Sequence, residues 1–371
     1  MALSDVLNRQ LTAWTEAGLR RQLRPLQGIG SVVHDGVREL LNFSSNDYLD
    51  LAGDARLTNN AESGATASRL VTGHLVSHDT LETRLEEFLG LPALVFSSGF
   101  AASLGTIPAL VGKGDAIFSD ALNHASLIDG ARLSRAPVHV FRHADPGHLD
   151  ELLQAHRGTG NALVLSDGLF SMDGDLAPLA DLQAVCARHD AWLYLDEAHS
   201  LGLLGPEGRG LSAVTRPDVL LGTLGKSFGA GGAFVAGTSP LKDWLIQKAR
   251  SFVFSTGLPP TVATAATKGV ALSQAEPWRR ERALTNAAFL RAELQSLGFH
   301  VPSGSGPIIP VLFGANEKAL QAAKALEAQG ILVVAIRPPT VPEGSARLRI
   351  AMTAGHTQEH LNALVSAFRR L

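Results

Sequence analysis

Residues 192–200 read WLYLDEAHS and residues 223–229 read TLGKSFG. In both, a short apolar run stops abruptly at a polar cluster. The run ending at Leu195 has the length and composition of a buried strand, which puts Asp196 at the strand's carboxyl end. In open α/β sheets that edge is where ligands bind. A carboxylate there can face the ring nitrogen of a pyridine cofactor and keep it protonated, so that the ring withdraws electrons. Lys226, 30 positions after Asp196, can form a Schiff base and later move protons. His199 can reach the cofactor's phenolic oxygen. The constellation predicts pyridoxal phosphate.

The same letters allow two other readings. DEAH with a nearby GKS also occurs in nucleic-acid-dependent ATPases, but a phosphate-binding P-loop needs glycine five positions before the Gly-Lys pair. Position 220 is Leu, and the GKS follows the acidic motif instead of preceding it. The plainer alternative makes Asp196 a loop cap, His199 a surface side chain and Lys226 a solvated lysine. Each is an ordinary outcome taken singly; their joint spacing at strand ends favours the cofactor.

Outward from this core the pattern repeats as strand, loop and helix. ALVFSS, AIFSD, VHVFRH, ALVLSDGLF, WLYLDEAH, VLLGTLGKS and AFVAG carry the expected strands from about residue 46 to 250, in a large domain expected to span 46–260. Such alternation predicts an α/β fold with a mostly parallel, doubly wound sheet. Residues 1–45 read as an arm, an amphipathic helix followed by a short β-ribbon. After the turn-like STGLPP, residues 261–371 read as a smaller αβ domain with strands at PIIPVLF, ILVVAI and RLRIAM.

Composition supports a large, well-packed chain. There are 371 residues, 45% hydrophobic and only 18% charged, with 37 glycines and no collagen-like period. A net charge of −3 with interspersed signs leaves no electrostatic footprint for nucleic acid or an anionic membrane. No uncharged apolar run of about 18 residues predicts a membrane span. The single cysteine, Cys186, lies in the helical stretch DLQAVCARH and is expected to be inert packing. With no signal-peptide pattern at the amino terminus, a cytoplasmic location is expected. No histidine shows metal-ligand spacing such as HExxH, so no metal is expected.

Other segments place chemistry on the same edge. Ser98, Gly99 and Phe100 open a helical stretch whose free amides suit a phosphate, although an ordinary turn reads the same way. His124, in DALNHASL, could stack on a planar ring or be a loop histidine. The Ser171 hydroxyl in GLFSMDGD could reach ring substituents. Arg337 and Arg349 offer guanidinium forks for a carboxylate or are surface arginines. Arg20 and Asn46 are polar groups that the arm could bring over a cleft.

NFSSNDYL, GATASRLVTG, DALNHASLIDG, FSMDGDLAPL, DEAHSLGLLGPEGRG, TLGKSFG, FSTGLPP and AIRPPTVPEGSARLRIAMTAGHT together resemble the α-oxoamine synthases, from about residue 15 to the end. The resemblance implies a fold-type I, aspartate aminotransferase-like pyridoxal phosphate enzyme, an acyltransferase working as a homodimer with shared active sites. By matching positions, Lys226 is the implied Schiff-base lysine and Asp196 the pyridine-nitrogen partner. His199 and Ser171 stand near the phenolic oxygen, His124 stacks on the ring, and Gly99, Phe100 and Thr223 hold phosphate. Ser255 and Thr256 reach the phosphate across the dimer. Arg20, His124 and Thr340 match substrate contacts, with Asn46 and Arg337 near them, and Arg349 matches the holder of the amino-acid carboxylate. The AIRPPTVP and FSTGLPP segments look most like members that condense L-alanine with a pimeloyl thioester, carried on coenzyme A or acyl carrier protein, in biotin biosynthesis. Relatives using glycine and acetyl-CoA are the alternative. Ser200 departs from the glycine that often follows DEAH in the family.

Overall fold

Short strands of β-branched and aliphatic residues, each bounded by polar turns, decide where this chain bends. A computed structural model describes residues 2–371. After the helix Leu3–Glu16 come β1 (Val32–His34) and β2 (Glu39–Asn42), an antiparallel pair. Seven more strands follow: β3 (Ala93–Phe96), β4 (Ala116–Asp120), β5 (Val138–Phe141), β6 (Ala162–Asp167), β7 (Trp192–Asp196), β8 (Val219–Thr223) and β9 (Ala233–Gly237). They form one sheet in the order β3-β9-β8-β7-β6-β4-β5. β4 to β8 run parallel, whereas β9 is antiparallel to both β8 and β3.

Strands buried on both faces read as continuous apolar runs, because helices cover each side. β3, β4, β6 and β9 are buried at every position. Successive side chains still point to opposite faces. Leu163, Leu165 and Tyr194 join one core cluster, with Ile107 and Leu127; Val164, Leu193 and Leu195 join the opposite one, with Leu153 and Leu182. Gly222 in β8 shows how tightly this packs. A Cβ there would lie 2.3 Å from the Phe234 ring and 2.5 Å from Leu201. Gly222→Ala is expected to cost about 1–3 kcal/mol by overpacking. Urea unfolding of the cofactor-free protein measures it; an unchanged midpoint would contradict the packing.

This unit comprises Asp47–Arg282. Its end falls one helix later than the sequence boundary at residue 260, because Ala263, Ala266 and Val270 of the helix Pro260–Ala275 pack with Leu81 and Leu85 of the helix Val76–Leu89.

The second unit joins the described residues up to Asn46 to Ala283–Leu371. Within this N-terminal segment Phe43 and β2 join the unit, while the helix Leu3–Glu16 buries none of its residues. β10 (Ile308–Gly314), β12 (Val334–Ile336) and β13 (Ala346–Ala351) form an antiparallel sheet ordered β10-β13-β12, while β11 (Ile331–Leu332) pairs in parallel with β2. The segment ILVVAI thus divides between two sheets, with Val333 buried at the division. Phe43 from the N-terminal segment packs with Leu290, Leu348, Ile350 and Phe368 in one core. Among the described residues no helix is long and apolar enough to cross a membrane. Cys186 is buried in the helix Leu179–Arg188, and burial pushes its thiol up to about 12.

Candidate active site

The parallel strands of the larger unit all deliver their carboxyl ends to one edge. β6 ends at Asp167 and β7 at Asp196, and these two aspartates are register partners. Beside them lies a cleft of about 220 Å³. Eight residues singled out from the sequence line it: Gly99, Phe100, His124 and Ser171, with Asp196, His199, Thr223 and Lys226. Asp167, Ser126, Leu169 and Ala198 complete the lining.

Lys226 sits on a braced turn. Leu224 N–H donates to Gly232 O, Ala230 N–H to Leu224 O and Gly229 N–H to Lys226 O, at 2.9–3.0 Å. Gly229 has φ +64°, and a Cβ there would lie 2.5 Å from the Leu51 backbone, so glycine is required. Lys226 Nζ is 2.8 Å from His199 Nε2, and His199 Nδ1 is 2.6 Å from the Tyr48 hydroxyl. An ammonium can only donate, so Nε2 then accepts and Nδ1 donates to Tyr48. Tyr48 is fully buried.

The two aspartates carry the site's electrostatics. Asp196 Oδ1 accepts from Ala198 N–H at 2.9 Å. Burial raises its pKa, with the charges of Lys226 and His124 working in the opposite direction. Asp167 is raised well above the ordinary carboxylate range, by burial first and then by the neighbouring Asp196. Its Oδ1 is buried without a hydrogen-bond partner. Two buried carboxylates side by side call for a cation or a donor from a ligand.

At the other side of the cleft the helix Gly99–Leu110 begins. Ser98 caps it, its Oγ accepting from Ala101 N–H at 3.1 Å. The amides of Gly99 and Phe100, in the first helical turn, need partners from outside the helix. A Cβ on Gly99 would come within 3.0 Å of Thr223 Cγ2, so the absent side chain keeps this corner open. His124 caps the helix Ala125–Ser134, and its Nδ1 accepts from Ser126 N–H at 3.3 Å. Burial lowers its pKa, Asp196 opposing, so at neutral pH the ring is uncharged, with its proton on Nε2. Its ring meets Phe100 edge-on at 6.4 Å.

The remaining predicted residues stand elsewhere. Ser255 and Thr256 border a separate crevice with Arg69 and Ser97, where Thr256 pairs with Ser68. The others lie in the smaller unit. There Arg349, buried, donates from Nη1 to Asn46 Oδ1 at 3.0 Å. Arg337 donates to Gly18 O, Arg21 donates to Thr340 Oγ1 at 2.8 Å, and Arg20 donates to Thr15 Oγ1 at 3.5 Å. Tyr48 and Asp167 are the functional candidates the sequence reading missed. Asp167 was findable by the rule applied to Asp196, since it too ends a strand; nothing local to NDYL links Tyr48 to a histidine 151 positions away. Among the described residues no group of three or more His, Cys, Asp or Glu could hold a metal ion.

The model of the aminotransferase class I and II family matches residues 38–368. Among curated proteins, 8-amino-7-oxononanoate synthase of Aromatoleum aromaticum is 46% identical, with 100% of this chain and 99% of that one covered. The same enzyme of Alkalilimnicola ehrlichii is 44% identical, with 99% and 97% covered. Among solved structures, serine palmitoyltransferase from S. paucimobilis with bound PLP-myriocin superposes with a TM-score of 0.92 at 29% identity, covering 99% of this chain and 96% of that one. 8-Amino-7-oxononanoate synthase from Francisella tularensis gives 0.75 at 26% identity, covering 89% and 97%.

Proposed function

The chain belongs to the aminotransferase class I and II family, and from that premise we infer that it condenses L-alanine with a pimeloyl thioester, with loss of carbon dioxide, to make 8-amino-7-oxononanoate. Pyridoxal phosphate is the cofactor. The residues present fit it. The orphaned Asp167 oxygen and the raised Asp196 carboxylate suit a cationic ring, and the Gly99 corner leaves room for a phosphate beside free amides. The observation that carries the reading is Lys226 Nζ held by His199 in the same cleft as the buried aspartate pair.

When bound, pyridoxal phosphate supplies an aldehyde for linkage to an amine and a protonated ring that stabilises negative charge on the adjoining carbon. Asp196 holds the proton at the ring nitrogen. Lys226 would anchor the cofactor through its amine and is the base placed to take the proton from the alanine Cα. His199, steadied by Tyr48, aims the lysine and borders the phenolic oxygen together with Ser171. Gly99, Phe100 and Thr223 bind phosphate. His124, uncharged with its proton on Nε2, would line the ring face and can donate to the thioester carbonyl oxygen as the carbon–carbon bond forms. Arg349, with Asn46 on its guanidinium, holds a carboxylate, while Arg20, Arg337 and Thr340 contact the acyl donor.

The reading includes a homodimer. Ser255 and Thr256 stand outside their own chain's cleft, and the neighbouring Phe254 is 71% exposed, as a residue reaching toward a second copy would be. A reducing cytoplasm suits the single buried cysteine.

The test is thiol release from pimeloyl-CoA and from pimeloyl-acyl carrier protein with L-alanine, glycine or L-serine, and the product identified by mass. Alanine with one pimeloyl donor is expected to be fastest. Faster turnover of glycine with acetyl-CoA would overturn the assignment.

A further inference from the structure

Outside the cleft, one histidine bridges the supports of two of its walls. His143 follows β5 and is half-buried. Its Nδ1 lies 2.9 Å from Asp120 Oδ1 and its Nε2 2.8 Å from Asp175 Oδ2. Both ring nitrogens therefore face carboxylates, and both must donate. Burial works against a charge on this ring, but the hydrogen bonds and charges of Asp120 and Asp175 outweigh it and raise its pKa to about 10.

What each carboxylate supports matters more than the pairing. Asp120 ends β4, and its Oδ1 also accepts from Leu122 N–H at 2.8 Å, which shapes the turn leading to His124. Asp175 closes the turn that holds Ser171. Phe170 N–H donates to Asp175 O at 3.0 Å, Gly174 N–H donates to Phe170 O at 2.8 Å, and Leu169 bridges Leu176. His143 touches that turn a second time, its ring edge-on to Phe170 at 4.4 Å and 88°. The chain accepts strain to keep it there. Ala144 has φ +50°, a region that costs an L-residue about 1–2 kcal/mol, while its N–H donates to Asp120 Oδ2 at 2.9 Å. Strain of this kind persists only where neighbouring contacts fix the conformation.

We propose that His143 is a positioning residue, its imidazole clamping the turn that presents His124 to the turn that presents Ser171. The inference rests on the cofactor-site reading above, in which those two side chains flank the ring. An imidazolium suits the task because it is rigid and donates in two directions at once. Glutamine can donate toward one carboxylate only through its single amide nitrogen.

The experiment compares wild-type holoenzyme with His143→Gln, Asp175→Ala and the double variant, reading kcat, KM for alanine and the visible circular dichroism of bound cofactor. Both single variants are expected to lose between about tenfold and a hundredfold in kcat, since small misplacements cost that much, with KM for alanine within about twofold and the dichroism band weakened. The double variant should be no worse than His143→Gln, because both changes break one contact. A lowered melting temperature with kcat and dichroism unchanged would overturn the proposal, as would fully additive losses. If His143→Gln does not fold, Asp175→Ala decides alone, its side chain being 34% exposed. A wild-type protein that fails to turn over alanine would sink the functional reading, while the dichroism comparison would still report on the clamp.

Discussion

Lys226→Ala is expected to lower kcat by about four orders of magnitude and to abolish the visible absorbance of covalently held cofactor. In the proposed function this one side chain has two jobs, anchoring the cofactor and moving the Cα proton, and a positioned acid–base group alone contributes up to about 10⁴-fold. The fold should survive the change. Lys226 is only half-buried, and the turn beneath it is held by backbone hydrogen bonds and by Gly229, none of which involves the amine. Loss of activity with an unchanged melting temperature of the cofactor-free protein is therefore the expected pair of results. Activity above a hundredth of wild type would remove Lys226 from the chemistry.

Asp196→Asn should move activity and stability in opposite directions. A carboxylate facing the ring nitrogen works in a buried, water-poor setting, where one lost electrostatic partner typically costs up to about 10³ in kcat. In the cofactor-free protein the same carboxylate is a liability. Its pKa is raised by burial, so its contribution to stability is fully present below the unfolded value of about 3.9 and is lost as pH rises through the folded value. Deprotonating Asp196 in the cofactor-free protein therefore costs stability, the more so beside Asp167, whose pKa is raised further still. The variant should melt higher without cofactor and gain less than wild type when cofactor is added. A cofactor-free variant that melts lower would contradict this electrostatic account.

The sequence exposed the sheet and its working edge because strands buried on both faces leave continuous apolar runs. All seven strands of the larger unit stand where runs such as ALVF and AFVAG put them. Direction was less visible. Nothing in AFVAG itself makes β9 antiparallel; the short connection after Lys226 does, since a parallel return needs a longer crossover. Domain limits were also obscure. Ala263, Ala266 and Val270 look alike whichever core they enter, so the helix Pro260–Ala275 read as the beginning of something new. The site behaved similarly. Side chains on strand ends, such as Asp196, were legible by rule, whereas Tyr48 and His143 act through partners that only the fold brings near.

The parallel pairing of β2 with β11 has a further consequence for how the chain is made. Leu41 meets Ile331 and Asn42 meets Leu332, partners separated by 290 positions. At a synthesis rate of about 5–20 residues per second, the N-terminal ribbon emerges from the ribosome roughly 15–60 s before its neighbour exists. The span Asp47–Arg282 is contiguous and can fold during that wait. The ribbon is thus made early but placed late, and until then Phe43 and the open edge of β2 depend on dilution or a chaperone for protection.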